Sequence, residues 1–393
     1  MNGAYIVRGL IFLLAGILVA CSFDTRNPPL RLNIAAECPN TKNLSVTGVK
    51  ATNISYPADV VTNVDPFRLA ISGQGSNNVR VSMTEGVWIE AGSIEHSAGH
   101  VDGPSATARF DTPRGIAFSK NYETLYIADS GNHVIRQWNL LDDSISTIAG
   151  QPGQFGLEDG ATGQPSLMHS PSGLTLSADG NSLFITERSG RCIRRLSDLG
   201  TDNGTKATLT TYAGICGHSF DSNSGVAHDG KKLDAYFIEP RSLVRAPSTF
   251  LGHEDWLLVS DPGSNLLRLV TNQSVTTLLG EFGLPSTTGQ KVTDLAAVIL
   301  MDAPTGIAFH PDGWFVYADK NRQELMLACA NRVRRVAAAK GTSSSLTITT
   351  IDWTAPAGVS INDLGNEKFA IYVSDADVRA DDKDAKSMYI IKN

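Results

Sequence analysis

Five acidic side chains recur at one place in successive stretches of the sequence, each at the end of a short apolar run. They are Asp129, Glu187, Asp261, Asp319 and Asp375. Carboxylate oxygens bind hard divalent cations, so a ring of such acids facing a channel would form a metal site. An acid beside Ser, Gly or Asn, however, typically accepts hydrogen bonds from its own turn. The pattern therefore favours a structural role and leaves the cation site as the alternative.

Basic side chains recur as well. Arg136, Arg194 and Arg268 occupy one place in three units, a few residues after the acid. They would either pair with acids of adjacent units or present a row of guanidinium groups to an anionic ligand, and their recurrence with an acid favours pairing. Arg114 and Arg241 each follow a proline that begins an apolar run. Their position near a loop makes them the predicted ligand contacts.

Other signals of catalysis are weak. His96, His100, Glu95 and Asp102 are metal-ligand types, but they lie in a connection without the spacing that puts ligands on one helix face. The sequence contains no serine elbow, no reactive-cysteine context and no glycine loop opening a helix for phosphate. Metal ligands scattered over several units would leave no local signature. We predict no cofactor, with a divalent cation in the channel as the alternative.

Four cysteines besides Cys21 are an even number, as in exported proteins whose thiols pair. Four cysteines permit three connectivities. Cys192 and Cys216 belong to one unit and its closing strand, which suggests a Cys192–Cys216 disulfide with Cys38–Cys329 as the second.

The elements that must position these residues come from an internal repeat. Each unit begins with a predicted strand that starts at a proline, where the missing N–H is tolerated. The prolines are Pro113, Pro171, Pro240, Pro304 and Pro356. A second strand ends at the recurring acid, and a third and a fourth follow. Four short antiparallel strands cannot bury both faces of one small sheet, so the units must stack around an axis as an all-β propeller.

A large apolar residue stands three positions before each proline. These residues are Phe110, Met168, Phe237, Met301 and Trp353. A column of this kind at a repeat period is usually core, so we expect it to fill the seams between blades rather than to line a binding groove.

The first unit carries a specific family resemblance. Residues 108–118, ARFDTPRGIAF, followed by 125–136, LYIADSGNHVIR, resemble an NHL repeat. The second and fourth units match well, the third has Ser242 in place of a glycine, and the fifth keeps only the proline, the glycine and the acid. The resemblance covers about residues 86–393. It implies a propeller that usually has six blades and that mostly serves as an interaction platform.

The fifth unit ends at a third strand, 388–391, so an N-terminal strand must close the ring to avoid an open edge. If 87–92 closes it, five blades result. If 44–48 closes it, the strands between 67 and 92 form a diverged sixth blade, which is the arrangement we favour. A separate small β-module at 44–85 is the third arrangement.

The N-terminus has the pattern of an export signal. Arg8 precedes the apolar run 9–20, which is too short for a bilayer span of about 20 residues but suits a signal peptide. Leu18-Val19-Ala20-Cys21 resembles the lipobox of bacterial lipoproteins, which implies acylation of Cys21 with a fatty acid such as palmitate. Ser22, rather than Asp, resembles lipoproteins forwarded to the outer membrane of diderm bacteria.

Composition narrows the partners. The 393 residues carry a formal charge of −7. The chain therefore lacks the excess of positive charge that binding to a nucleic acid requires, and we expect no nucleic-acid partner. We expect a signal peptide at 1–20, a tether at 21–43, a diverged first blade or closing strands at 44–92, and the NHL-type propeller at 93–393.

The predicted function follows from the tether and the propeller together. We expect a lipid-anchored extracytoplasmic binding or scaffolding module in the cell envelope, with a protein, peptide or glycan bound on a loop face. A metal-dependent hydrolase or lyase with its site in the channel is the alternative.

Overall fold

The structure is a computed structural model. It describes residues 37–39, 44–49, 54–64, 67–84, 87–92, 95–161, 166–199, 207–218, 227–253, 255–280, 301–329, 332–339, 349–351, 355–366, 368–376 and 388–392. The regular elements in these ranges are β-strands. In the same ranges no helix has the length and apolar character needed to cross a membrane. Cys21 and Trp353 lie outside the described residues.

The strands form six small sheets, which are the blades of a propeller. The first strand in the described residues, β1 (Ser45–Val49), belongs to blade 6. Blade 1 consists of β2 (Pro57–Val64), β3 (Phe67–Gly73), β4 (Asn78–Thr84) and β5 (Val87–Ala91). Blade 2 consists of β6 (Gly103–Pro104), β7 (Pro113–Phe118), β8 (Thr124–Asp129), β9 (Val134–Asn139) and β10 (Ser144–Ala149). Blade 3 consists of β11 (Gly160–Ala161), β12 (Pro171–Leu176), β13 (Leu183–Glu187), β14 (Cys192–Ser197) and β15 (Thr208–Ala213).

Blade 4 consists of β16 (Gly230–Lys231), β17 (Leu243–Arg245), β18 (Leu257–Asp261), β19 (Leu266–Val270) and β20 (Ser274–Leu279). Blade 5 consists of β21 (Pro304–Phe309), β22 (Phe315–Asp319), β23 (Glu324–Cys329), β24 (Arg332–Ala339) and β25 (Thr349–Ile351). Blade 6 consists of β26 (Pro356–Gly365), β27 (Lys368–Asp375), β28 (Met388–Lys392) and β1.

The ring closes as favoured from the sequence. β1 pairs antiparallel with β28, with Thr47 opposite Ile390, so the two ends of the chain share blade 6. The prediction of an all-β propeller with six blades is therefore confirmed. The inner strands of the first and the last blade are therefore neighbours, and the ring of blades is continuous.

Blade 1 contains an inner strand that the sequence analysis missed. β2 begins at Pro57, and Pro57 pairs with Gly73 as Pro113 pairs with Asp129 in blade 2. The residue before the proline also has the same left-handed backbone, with φ of 47° at Tyr56 and 48° at Thr112. Pro57 is thus the sixth member of the proline series.

The core lies between the blades. Strands β13, β18 and β22 are buried along their whole length, because each sheet packs a neighbour on both faces. Four members of the predicted seam column are buried in clusters that contain residues of two consecutive blades. They are Phe110, Met168, Phe237 and Met301.

Two disulfides join the four described cysteines. Cys192, at the start of β14, is bonded to Cys216 in the connection after β15. Cys38, ahead of β1, is bonded to Cys329 at the end of β23 in blade 5. This is the connectivity suggested by the sequence.

Candidate functional site

The recurring acids serve their own blades. Each carboxylate accepts hydrogen bonds from backbone N–H groups in the connection just before the first strand, and these donors are Asp111, His169, Ile238 with Glu239, Asp302 and Ala355. All five acids are buried, at 0–2% exposure. In the part of the chain that the structure describes, His, Cys, Asp and Glu side chains form no group of three or more that could hold a metal ion.

The recurring arginines complete this arrangement. Arg194 donates to Glu187 at 2.8 Å and to Asp159 in the preceding connection, and its guanidinium is fully buried. Arg136 binds Asp129 and Asp102 in the same way. The partners belong to the arginine's own blade, so pairing with acids of adjacent blades is wrong. An arginine therefore fastens the incoming connection to its own sheet.

The predicted histidine group is also used locally. His96 Nδ1 lies 2.9 Å from the carbonyl oxygen of Ser76, and His100 Nε2 lies 2.8 Å from Thr147 Oγ1. Asp102 accepts from Arg136 and Thr147. These side chains therefore have structural partners rather than a shared metal position.

A cavity lies on the propeller axis and has a volume of about 90 Å³. All six blades contribute to its wall. In each blade the residue directly after the first-strand proline lines the cavity, and these residues are Ala58, Arg114, Ser172, Arg241, Thr305 and Ala357. Gln74, Lys320 and Ala376, in the turns after the second strands, line the same cavity. Its mouth therefore opens on the face formed by these turns and by the connections into the first strands.

Neighbouring blades approach one another closely at the next residue of several inner strands. Here the blades approach so closely that a Cβ on Gly115 would lie 2.1 Å from the Ser172 carbonyl oxygen, and one on Gly306 would lie 2.1 Å from that of Ala357. Glycine is thus required by the close approach of neighbouring backbones.

Blade 1 has Asp59 at this glycine position. Its Oδ2 accepts the Ile116 N–H of blade 2 at 3.1 Å, and its Oδ1 accepts the Val60 N–H at 2.9 Å. Burial raises the pKa of Asp59 to about 7, although the two backbone hydrogen bonds oppose this shift. The carboxyl therefore links two inner strands and titrates near neutral pH.

Three arginines meet at one side of the mouth around a single glutamate. Glu239 Oε1 accepts from Arg188 Nε at 2.5 Å and from Arg241 Nη2 at 2.7 Å. Arg114 lines the cavity beside them. Among the described residues, the Arg114 guanidinium has neither a hydrogen bond nor an ion pair. The structure therefore brings together the two arginines predicted from the sequence and adds Arg188 and Glu239.

The pKa shifts record this crowding of positive charge. Burial, then the charges of Arg188 and Arg241, lower the pKa of Arg114 to about 10, against the attraction of Glu239. Burial opposes ionisation of Glu239, but Arg241 and Arg188 outweigh it and lower its pKa. At neutral pH the Arg114 guanidinium is therefore protonated and the Glu239 carboxyl is ionised.

An exposed aromatic group adjoins the mouth on the blade 3 side. Phe155 is 66% exposed and stacks on His169, with ring centroids 4.9 Å apart. The backbone next to His169 is bonded to that of Arg188, through Arg188 N–H and the Ser170 carbonyl oxygen. An apolar ring surface therefore stands beside the basic mouth.

Comparison with known proteins supports the repeat and the fold. No family model matches the chain. It is 28% identical over 235 residues to "NHL repeat-containing protein 2" of Homo sapiens, covering 55% of this chain and 30% of that protein. It is 24% identical over 238 residues to "Protein SUPPRESSOR OF QUENCHING 1, chloroplastic" of Arabidopsis thaliana, covering 58% and 20%. The chain thus matches less than a third of either relative, and these similarities support NHL-repeat homology.

Two solved structures share the architecture. A catalytically inactive virginiamycin B lyase from Staphylococcus aureus, with quinupristin, has a TM-score of 0.51 at 12% identity and covers 89% of this chain and 100% of its own. A gluconolactonase from Xanthomonas campestris has a TM-score of 0.54 at 10% identity and covers 93% and 97%. At such identity the likeness shows the propeller fold alone.

Proposed function

We propose that the protein is a binding module, held outside the cytoplasm by a lipid on Cys21, whose protein, peptide or glycan ligand binds at the channel mouth. The observation that supports the site is the Arg114 guanidinium, which lines the cavity without a partner among the described residues. A charged group in such a position normally has a counterion. A negatively charged group of a ligand at the mouth would supply the counterion that Arg114 lacks among the described residues. The adjoining Phe155 offers an apolar contact for the rest of the ligand.

The site is tested by photo-crosslinking in the bacterial envelope. A photoreactive residue replaces Gln74, which lines the cavity, or Leu141, which is 71% exposed in the turn between β9 and β10 at the other end of the blade. We expect discrete adducts from position 74 and none above background from position 141. Adducts from position 141 alone, or from neither position, would contradict binding at the mouth.

The anchor is tested separately with Cys21→Ser. Full chain and variant are labelled with a radioactive fatty acid and fractionated. We expect the label and the membrane fraction to be lost together in the variant, because the acylated sulfur is absent. A variant that stays membrane-bound and labelled would refute lipidation at this cysteine.

In the part of the chain that the structure describes, no cluster of ligands supports the alternative of a metal-dependent hydrolase or lyase. A catalytic cation needs several ligands aimed at one point. The five recurring acids instead bind backbone N–H groups of five separate blades.

A further inference from the structure

We infer that the mouth binds an oxyanion group of the ligand, a carboxylate or a phosphate, between Arg114 and Arg241. The inference rests on the proposed binding function and specifies the chemical group that enters the site. It depends on three features of the mouth: its charge, the orientation of its arginines and the size of its cavity.

The charge is the first feature. Arg114, Arg188 and Arg241 contribute three positive charges, and Glu239 contributes one negative charge, which leaves two positive charges on this group. Lys320 and Asp59 line the same cavity, where Lys320 adds a positive charge and Asp59, with a pKa of about 7, is partly ionised at neutral pH. The chain as a whole carries a charge of −7, so this concentration of positive charge contrasts with the rest of the molecule. Charge of one sign in a concave, partly desolvated site favours a ligand of the other sign.

The orientation of the arginines is the second feature. Glu239 Oε1 accepts from Arg241 through both Nε and Nη2 and from Arg188 through Nε. These bonds hold two guanidinium groups in fixed positions before any ligand arrives. The Arg114 guanidinium has no partner among the described residues, and its planar fork matches the two oxygens of a carboxylate or phosphate. Glu239 is thus a positioning residue for the arginines.

The size of the cavity is the third feature. The cavity that Arg114 lines has a volume of about 90 Å³, which is room for about three water molecules. A ligand therefore reaches Arg114 with one end and leaves the rest of its bulk on the propeller face. A terminal or side-chain oxyanion fits this geometry.

The inference is tested by calorimetry on the purified full chain in detergent, with three small probes. Glucuronate carries a carboxylate, glucuronamide is its neutral counterpart, and inorganic phosphate is the second oxyanion. We expect saturable binding of glucuronate, of phosphate or of both, weakening as salt is added, and no binding of glucuronamide. Glucuronate alone identifies a carboxylate site, and phosphate alone identifies a phosphate site.

Three variants locate the binding. Arg114→Ala and the bulkier Arg114→Gln should each weaken oxyanion binding at least about tenfold, because the guanidinium fork is removed. Arg195→Ala is the matched control, since it removes the same charge from an exposed arginine of β14 that bonds Ser182. Melting temperatures of all variants identify any that fail to fold, and two Arg114 variants keep the test usable if one does.

Two results would overturn the inference. One is the absence of binding for both oxyanions, or equal binding of glucuronamide. The other is undiminished oxyanion binding in folded Arg114 variants. If either result is obtained while position 74 still gives crosslinks, the binding function is retained and only the oxyanion inference is rejected. Loss of those crosslinks would instead remove the proposed function itself.

Discussion

The buried arginines show how a charged side chain is accommodated inside a propeller blade. Arg194 donates to Glu187 on the second strand and to the Glu158 carbonyl oxygen and Asp159 in the connection. Burying an unpaired charge costs several kcal/mol, so each arginine is tolerable only with its carboxylates in place. The same bonds fix the connection that carries the chain from one blade to the next.

This role predicts a large effect of Glu187→Ala. The substitution leaves Arg194 buried without its main partner, and we expect the free energy of unfolding to fall by about 3–5 kcal/mol in urea titration. Glu123→Ala is the control, since it removes the same side chain from an exposed turn and should change stability by less than about 0.5 kcal/mol. Equal effects of the two substitutions would show that the buried pair is not needed for stability.

Asp59 predicts a pH dependence. Its pKa is about 7 in the folded protein, against 3.8 for an ordinary Asp. Between these values the folded state holds a proton that the unfolded state has released, so this group makes stability fall as pH rises from about 4 to 7. In Asp59→Asn the loss of stability between pH 5 and pH 8 should be smaller by about 2–3 kcal/mol, measured by urea unfolding at both pH values.

The matched control for this pH effect is Asp142→Asn, in an exposed turn of blade 2. It should leave the difference between pH 5 and pH 8 as in the unsubstituted protein. An unchanged difference in Asp59→Asn would mean that Asp59 ionises normally in the folded state.

At the scale of elements, the Cys192–Cys216 disulfide fastens the connection after β15 to the start of β14 in blade 3. The bond closes a loop with a sequence separation of 24. On the chain-entropy estimate, a loop of this size contributes about 3 kcal/mol. The double substitution Cys192→Ala and Cys216→Ala should therefore lower the free energy of unfolding by about that amount, with Cys38–Cys329 verified intact by mass spectrometry. An unfolding free energy equal to that of the original protein would contradict this contribution.

The sequence predicted the strands best where a unit kept its pattern. The proline, the acid and the apolar alternation together located β7 and β8, because these residues specify the local backbone and its burial. In blade 1 the glycine position holds Asp59 and the acid position holds Gly73, so β2 escaped notice. Arg80, which bonds Glu90 from the place of Arg136, was a signal that could have identified the unit.

The candidate site was only half predictable. The positions after the first-strand prolines pointed to Arg114 and Arg241, since one repeat position lies at one level of the axis. Arg188 and Glu239 stand in turns of different blades, and their 2.5 Å contact arises only when the blades pack side by side. Such a contact depends on how the blades are arranged around the axis, and the spacing of residues within one repeat does not predict it.

At the scale of the whole molecule, blade 6 joins the two ends of the described chain, because β1 supplies its outer strand. Without β1, the backbone N–H and C=O groups of β28 would form an open edge, and such edges associate with other chains. Each blade packs on both neighbours, so weakening blade 6 also exposes apolar surface on blades 1 and 5. Ring closure should therefore affect the stability of the entire propeller.

A comparison of two truncations measures this closure. A chain that starts at residue 44 keeps β1, and one that starts at residue 50 lacks it; neither contains Cys38, so the Cys38–Cys329 bond is absent from both. We expect the shorter chain to lose about 3 kcal/mol or more in urea unfolding and to form concentration-dependent oligomers in size-exclusion chromatography. Because the two chains differ by six residues that contribute one edge strand, equal stability and equal monomer content would mean that β28 needs no partner. The expected large difference between them would mean that the propeller depends on pairing between residues far apart in sequence, such as Thr47 and Ile390.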